Sequence, residues 1–265
     1  MSSIPCHCAA GSFDARHRDV LRRLWFLGDV HGDLRHLQKA LGAHLRPNPM
    51  PRWLVFLGDV GLESCSLREA LAPLLLEHPT VKFAYIHGNH DGDTHEYWER
   101  LHDHGDAIPL HGRVAEIDGI RIAGLGGNFQ RRVWAPPSAP VYATRAEATY
   151  RHPNLLKRGQ LHSPKLNAAI YKQEVDELSR QPADILVCHE APSCHPFGWA
   201  ELDKLGQELG VVRVFHGHTH DDRTLEYKAH QVRMGFETVA VNYRCIKNGL
   251  GETVLAYTLS ESSTV

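Results

Sequence analysis

The chain has 265 residues, 42% of them hydrophobic and 23% charged, with a formal net charge of −2. That is enough chain to bury a full core without staples, and the charge balance leaves no global basic footprint for long nucleic acid. No apolar run approaches the roughly 18 residues of a spanning helix, and the first 20 residues lack the basic and apolar regions of a signal peptide. A soluble, cytoplasmic protein with no membrane partner is expected.

Six cysteines, Cys6, Cys8, Cys65, Cys188, Cys194 and Cys245, form neither a zinc-finger spacing nor a CxxC motif. They are expected to be small core residues of a reducing compartment. Cys6-His7-Cys8 has no further ligands nearby in sequence and falls in residues 1–20, an arm expected to be disordered. Residues 21–265 are expected to form one domain.

In chain order, "RLWFLGDVHG" predicts a strand over Leu24 to Leu27 that ends in a turn. "DLRHLQKALGAHL" predicts an amphipathic helix, with Leu34, Leu37, Leu41 and Leu45 at helical spacing. "RWLVFLGDVG" gives a second strand, Trp53 to Leu57, and Ser66 to Glu77 a second helix. "VKFAYI" is a third strand, after which Asp93 is expected to cap a helix through about Leu101. "RVAEI" and "IRIAGL" flank Asp118-Gly119, a two-residue hairpin signal.

Residues 128–165 are rich in proline, arginine and aromatics with weak periodicity, and are expected to be an insertion. "KLNAAIYKQEVDELSRQ" returns to a helical pattern, "DILVCHEAP" to a strand, Glu201 to Leu209 to a helix, and "VVRVFHGHTH" to a strand. Thr224 to Leu259 reads as terminal antiparallel strands. The alternation of strands and helices makes the class α/β.

One event recurs along this chain: an apolar strand ends, and the next turn carries metal-competent side chains. Asp29 and His31 follow the first strand, Asp59 the second, Asn89 and His90 the third. His189 follows "ILVC", and His216, His218 and His220 follow "VVRVF". In open α/β sheets ligands bind beyond the carboxyl ends of strands, so five segments can converge on one rim. Each segment alone has a plainer reading, as a turn or a hydrogen-bonded core histidine, but five coincidences are harder to explain than one site. Asp, Asn and His suit manganese, iron or zinc. Two such ions about 3.5–4 Å apart lower the pKa of a bridging water and clamp a phosphate.

The pattern "GDVHG" 28–32, "GD" 58–59, "GNHD" 88–91, His189 in "CHEAP" and "GHTH" 217–220 resembles the calcineurin-like metallophosphoesterase superfamily. The resemblance spans about Leu24 to His220. It implies a four-layer α/β/β/α sandwich of two mixed β-sheets flanked by helices, and two divalent or trivalent transition-metal ions (Mn, Fe or Zn). It also implies hydrolysis of a phosphate ester by hydroxide held between the metals. Asp29, His31 and His220 would hold the first ion and Asn89, His189 and His218 the second, with Asp59 bridging. His90 would protonate the leaving oxygen, with Asp91 orienting it. Cys188, His87 and His216 are expected to be structural.

The protein Ser/Thr phosphatases of that superfamily carry Asp-Arg-Gly after the second Gly-Asp. Here the chain reads "GDVGLES", which counts against protein phosphatase activity without removing it. Gly126 and Gly127 allow a close backbone approach, so Asn128, Arg131 or Arg132 could reach substrate instead, or form a solvated basic loop. Phe129, Trp134, Tyr142 and Tyr150 could stack on a substrate ring or pin the insertion to the body. Nucleotides and small organic phosphates are the expected substrates. A catalytically silent, partner-binding scaffold is the rival from another class, and the complete ligand set argues against it.

Overall fold

The computed structural model describes residue 13 and residues 17–42, 48–151, 156–157, 160–161 and 164–256. Cys6-His7-Cys8 and most of the expected N-terminal arm lie outside the described residues. Within that arm, helix α1 (His17–Arg22) is already formed, and Leu21 is buried.

The first half alternates strand and helix: β1 (Leu24–Leu27), α2 (Arg35–Gly42), β2 (Trp53–Leu57), α3 (Leu67–Glu77), β3 (Lys82–Ile86), α4 (His95–His102) and β4 (Ile108–Pro109). A hairpin follows, β5 (Arg113–Ile117) and β6 (Ile120–Leu125), turning on Asp118 and Gly119 at φ 49° and 82°. Both positive angles are what a type I′ turn needs. Then come α5 (Arg145–Arg151), a two-residue pair β7 (Leu156–Lys157) and β8 (Gln160–Leu161), α6 (Lys172–Leu178), β9 (Ile185–Cys188), α7 (Ala200–Leu209) and β10 (Arg213–His216). The chain closes with α8 (Thr224–Tyr227), α9 (Gln231–Met234), β11 (Glu237–Ala240), β12 (Ile246–Asn248) and β13 (Thr253–Leu255).

Two mixed sheets result. One has the order β13-β12-β1-β2-β3-β4 and the other β11-β10-β9-β6-β5. Strands β1 to β4 are mutually parallel, and so are β6, β9, β10 and β11. The central strands β1, β2 and β9 are buried at every position, which is why they read as unbroken apolar runs and not as alternating ones.

Three apolar layers hold the sandwich together. Phe26, Val55, Leu57, Ile86, Ile122, Val187 and Phe215 fill the space between the sheets, where Phe26 stacks on Phe215 with centroids 3.8 Å apart. Leu54 and Phe56 face out from the first sheet onto Leu37, Leu67, Leu71 and Leu101 of α2, α3 and α4. Leu186 and Val214 face out from the second onto Val175, Leu178, Leu202 and Leu205 of α6 and α7. The architecture is therefore helix, sheet, sheet, helix, as the resemblance implied. No helix among the described residues is long and apolar enough to cross a membrane.

Three expectations differ from what forms. The helical pattern over 165–181 yields only α6, preceded by a 3-10 turn at Pro164–Leu166. Between them the backbone is taken by tertiary pairing: Asn128 N–H donates to Ala168 O and Ile170 N–H to Asn128 O. The C-terminal segment is not all antiparallel strand. Residues 224–234 are short helical turns, and β11 joins β10 in parallel; only β12 and β13 run antiparallel. Asp93 does not cap α4, because Thr94 does: its Oγ1 accepts from Tyr97 N–H at 3.0 Å.

Candidate metal centre

The parallel strands of both sheets end at one rim, and the loops beyond them converge there. Asp29 is fully buried after β1, and its carboxylate accepts His218 N–H at 3.1 Å and lies 2.8 Å from His220 Nε2. Asp59, buried after β2, accepts His90 N–H at 2.7 Å through Oδ1 and has Oδ2 3.4 Å from His189 Nε2. Asn89 Oδ1 is 3.0 Å from that same Nε2. Side-chain donors of Asp29, His31 and His220 lie within 4.8 Å of one another, and so do those of Asp59, His189 and His218. All seven residues expected as ligands are thus brought together from five segments.

The local backbone at the rim is held in costly conformations. His31, Asp59, His218 and His220 all have positive φ, at 44°, 46°, 67° and 55°. Each non-glycine residue held in the left-handed region costs roughly 1–3 kcal/mol, and such strain gathers at functional sites. Glycines supply the close approaches. A Cβ at Gly88 would collide with Asp59 Oδ1, and one at Gly217 with Asp29 Oδ1.

The donor set fits two transition-metal ions. His189 Nδ1 is 2.9 Å from Leu57 O; donating there fixes the tautomer that offers Nε2, the usual outer-shell arrangement of a metal-binding histidine. His31 Nε2 is buried and has no hydrogen-bond partner, an orphan that a metal would satisfy. Burial lowers the pKa of His31, and holds that of His218 at about 4, so both imidazoles are neutral and ready to ligate. His220 is raised by its hydrogen bond to Asp29. For the buried Asp59–His189 pair, burial opposes both charges, but their mutual attraction prevails: the carboxylate is lowered and the imidazole raised.

His90 stands beside the cluster, its ring centroid 5.5 Å from that of His31. Its orienting partner is not Asp91. Asp91 is buried, and its two oxygens accept Gly61 N–H at 3.0 Å and Gly88 N–H at 2.8 Å, tying the β2 and β3 loops together. Burial first, and then the charge of Asp59, push its pKa up to about 7. The residue on His90 Nδ1 is Asp93, at 2.8 Å through Oδ2, and Asp93 Oδ1 pairs with Lys165 Nζ at 2.8 Å. In the sequence Asp93 reads as a helix cap, which hides this role.

Two further neighbours are not evident from the motifs. Tyr243 lays its ring 5.6 Å from that of His31 and 5.1 Å from that of His220. Arg244, at φ 50°, donates its N–H to Asp29 O. Both follow β11, and a signal for them exists: "TVAVNYR" is another apolar strand ending in polar residues. Glu190 is a third addition, buried, with Oε2 3.9 Å from His218 Nε2 and Oε1 accepting Phe129 N–H.

The residues expected at the insertion are placed differently from the ligands. Asn128 Oδ1 accepts from Gln130 Nε2, Arg132 Nε donates to Gln130 Oε1, and both arginines, Arg131 and Arg132, are exposed. Phe129 and Trp134 are buried in the outer core, Phe129 packing on Trp134 and Trp199 at 5.4 and 4.8 Å. Tyr142 is half-buried against the same core, and Tyr150 is exposed. Phe129 and Trp134 pin the insertion to the body and have little surface left for a ligand. Cys188, His87 and His216 are buried, as expected of structural residues.

Residues 22–222 match the family described as calcineurin-like phosphoesterase. A protein of Haemophilus influenzae (strain ATCC 51907 / DSM 11121 / KW20 / Rd), described as uncharacterized, is 32% identical over 219 residues, which is 81% of this chain and 92% of that one. The fold is similar to the crystal structure of TT1561 of Thermus thermophilus, with a TM-score of 0.50 and 17% identity, over 87% of this chain and 97% of that one. The match to the family covers most of the chain and includes every motif at the rim, and the chain belongs to the calcineurin-like phosphoesterase family.

Proposed function

We propose that this protein is a two-metal phosphoesterase of a reducing compartment that hydrolyses a nucleotide or another small organic phosphate, as a monoester or a diester. Asp29, His31 and His220 would hold one ion; Asn89, His189 and His218 would hold the other, with Asp59 shared. When bound, the metals supply a water of lowered pKa and the positive charge that the phosphoryl oxygens need. The protein's own groups do the rest. Asp93 on Nδ1 leaves His90 Nε2 as the ring atom that can protonate the departing oxygen. Lys165 steadies Asp93 in turn. No side-chain nucleophile is required, and Cys188 is unsuited to the role, since burial pushes its thiol pKa well up.

The observation that carries this reading is the convergence of two donor triads, each within 4.8 Å, with four of their six residues held at positive φ. The test is hydrolysis of p-nitrophenyl phosphate and bis-p-nitrophenyl phosphate by manganese-loaded protein. Turnover of either supports the reading, and turnover of neither, with both metals bound, rejects it.

A further inference from the structure

A cavity of about 340 Å³ lies beside the β4 edge of the first sheet, between the end of β3 and α4 on one side and Arg145, Asn167 and Glu174 on the other. None of the seven residues expected as metal ligands lines it. Its volume falls at the lower end of small-molecule sites, roughly 300–1,000 Å³, and is many times the share of one water, about 30 Å³. Two residues of its floor are Tyr85, in β3, and His87, just beyond it. They are two positions apart, so both side chains face α4, where Tyr85 meets His102 and His87 meets Trp98 at ring separations of 6.2 and 4.9 Å. Each is 2% exposed, and the Tyr85 hydroxyl and His87 Nε2 are buried without a hydrogen-bond partner. Folded proteins leave few buried polar atoms unmet, and two on one cavity wall point to a molecule that meets them.

The charged side chains of the lining are Arg145 and Glu174, and they compensate each other. Arg145 Nη2 donates to Glu174 Oε1 at 3.2 Å, and the guanidinium also donates to the carbonyls of Leu166 and Asn167. Glu174 Oε2 accepts Tyr171 N–H at 2.9 Å. His111 Nδ1 accepts Gly126 N–H, so Nε2 carries its proton and faces Glu174 Oε1 at 3.5 Å. His102 Nδ1 donates to Trp98 O at 2.7 Å, which leaves Nε2 of the neutral ring as an acceptor. The rings of Tyr85, His87, Trp98, His102 and His111 supply most of the remaining wall. Such walls suit a flat molecule with apolar faces, and the unmet atoms ask for polar groups on its edges. With its two charges paired, the lining favours a neutral molecule over an ion.

We infer that this cavity is a binding site, separate from the metal centre, for a small neutral nitrogen heterocycle, the class to which the purine and pyrimidine bases belong, with its polar edges meeting the Tyr85 hydroxyl and His87 Nε2. No step of phosphoester hydrolysis passes through the cavity, so the site stands or falls independently of that activity. The probes are adenine, hypoxanthine, uracil and thymine, with benzoate and benzylammonium as charged controls of similar size. Binding is measured by calorimetry on the manganese-loaded protein and again on chelator-stripped protein.

At least one base is expected to bind saturably, with the same affinity in both preparations, and more tightly than either control. Tyr85→Phe keeps the ring and its packing, and should weaken that base about three- to tenfold, the worth of one neutral hydrogen bond. The hydroxyl has no partner to lose in the empty protein, so the ligand-free variant should melt no lower than the wild-type chain. Saturable binding of none of the bases would mean that the cavity holds water only, and overturns the inference. Equal binding of a charged control, loss of binding when the metal is stripped, or an affinity unchanged in Tyr85→Phe overturns it too. A lower melting temperature of the ligand-free variant does the same, by showing that the hydroxyl is already satisfied.

Discussion

His90 and its two acidic neighbours show how finely roles divide among adjacent residues. Asp91 looks like the natural partner of His90 in sequence, yet it faces inward to join two loops, and Asp93 takes the imidazole. His90→Ala is therefore expected to keep both metals and lose about 10²–10⁴-fold in kcat, the usual worth of a general acid. Asp93→Asn should lose less, and both losses should shrink for substrates with good leaving groups. Elemental analysis and a leaving-group series check this, and loss of metal from His90→Ala would make it a ligand instead.

Gly88 offers a second test at the same scale. A methyl group there would collide with Asp59 Oδ1 and N and with His189 Cε1, so Gly88→Ala should impair loading of the second metal as severely as Asp59→Ala. Full loading of the alanine variant would show that the loop yields. The residues expected as ligands are legible in the sequence because each sits just beyond a strand end, in the loops that converge on the rim. Asp93 is not, because nothing local distinguishes a carboxylate that caps a helix from one that holds a histidine; for Tyr243 and Arg244 the signal is only that they follow another apolar run, "TVAV".

The insertion poses its question one scale up, at the level of elements. Its buried Trp134 packs on Phe129, which in turn packs on Trp199 outside the insertion, so the segment is anchored and not draped. Trp134→Ala should cost about 3–5 kcal/mol in urea unfolding, as large-to-small core changes do, while KM for a small phosphate ester changes little. A large KM effect with unaltered stability would restore a substrate-stacking role.

The central strands were legible almost to the residue, since Trp53–Leu57 and Ile185–Cys188 are buried on both faces and admit no other reading of that length. The hairpin was legible through Asp118-Gly119. What sequence could not supply was tertiary competition. Asn167 to Ile170 has helical periodicity, but its backbone pairs with Asn128. Residues 224–234 alternate in polarity yet fold as helical turns that cover β11.

For the molecule as a whole, burial of neutral histidines is one source of instability in acid. Burial lowers the pKa of His36 and His216 to about 4 and holds that of His87 well below the ordinary imidazole value. The unfolded chain takes up protons near pH 6.5, so between about 6.5 and 4 it binds more than the folded chain does. Stability from these groups is complete above that window and is lost as pH falls through it. The lowered His31 and His218 add to this trend, while Asp91, raised to about 7, and the raised His189 and His220 work in the opposite direction. The melting temperature of metal-free protein should fall from pH 7 to pH 4.5, less steeply in His36→Gln; a flat profile would contradict the assignment.

Three apolar layers do not depend on metal for their packing, so chelator-stripped protein should keep its circular dichroism while losing activity. The most direct test of the two-metal account is to titrate that stripped protein with manganese, following bound metal and phosphoester hydrolysis together. The account predicts that activity rises to a plateau at two tightly bound ions per chain and does not appear in Asp59→Ala. Full activity with no bound metal, or none with two ions bound to the wild-type chain, would contradict it.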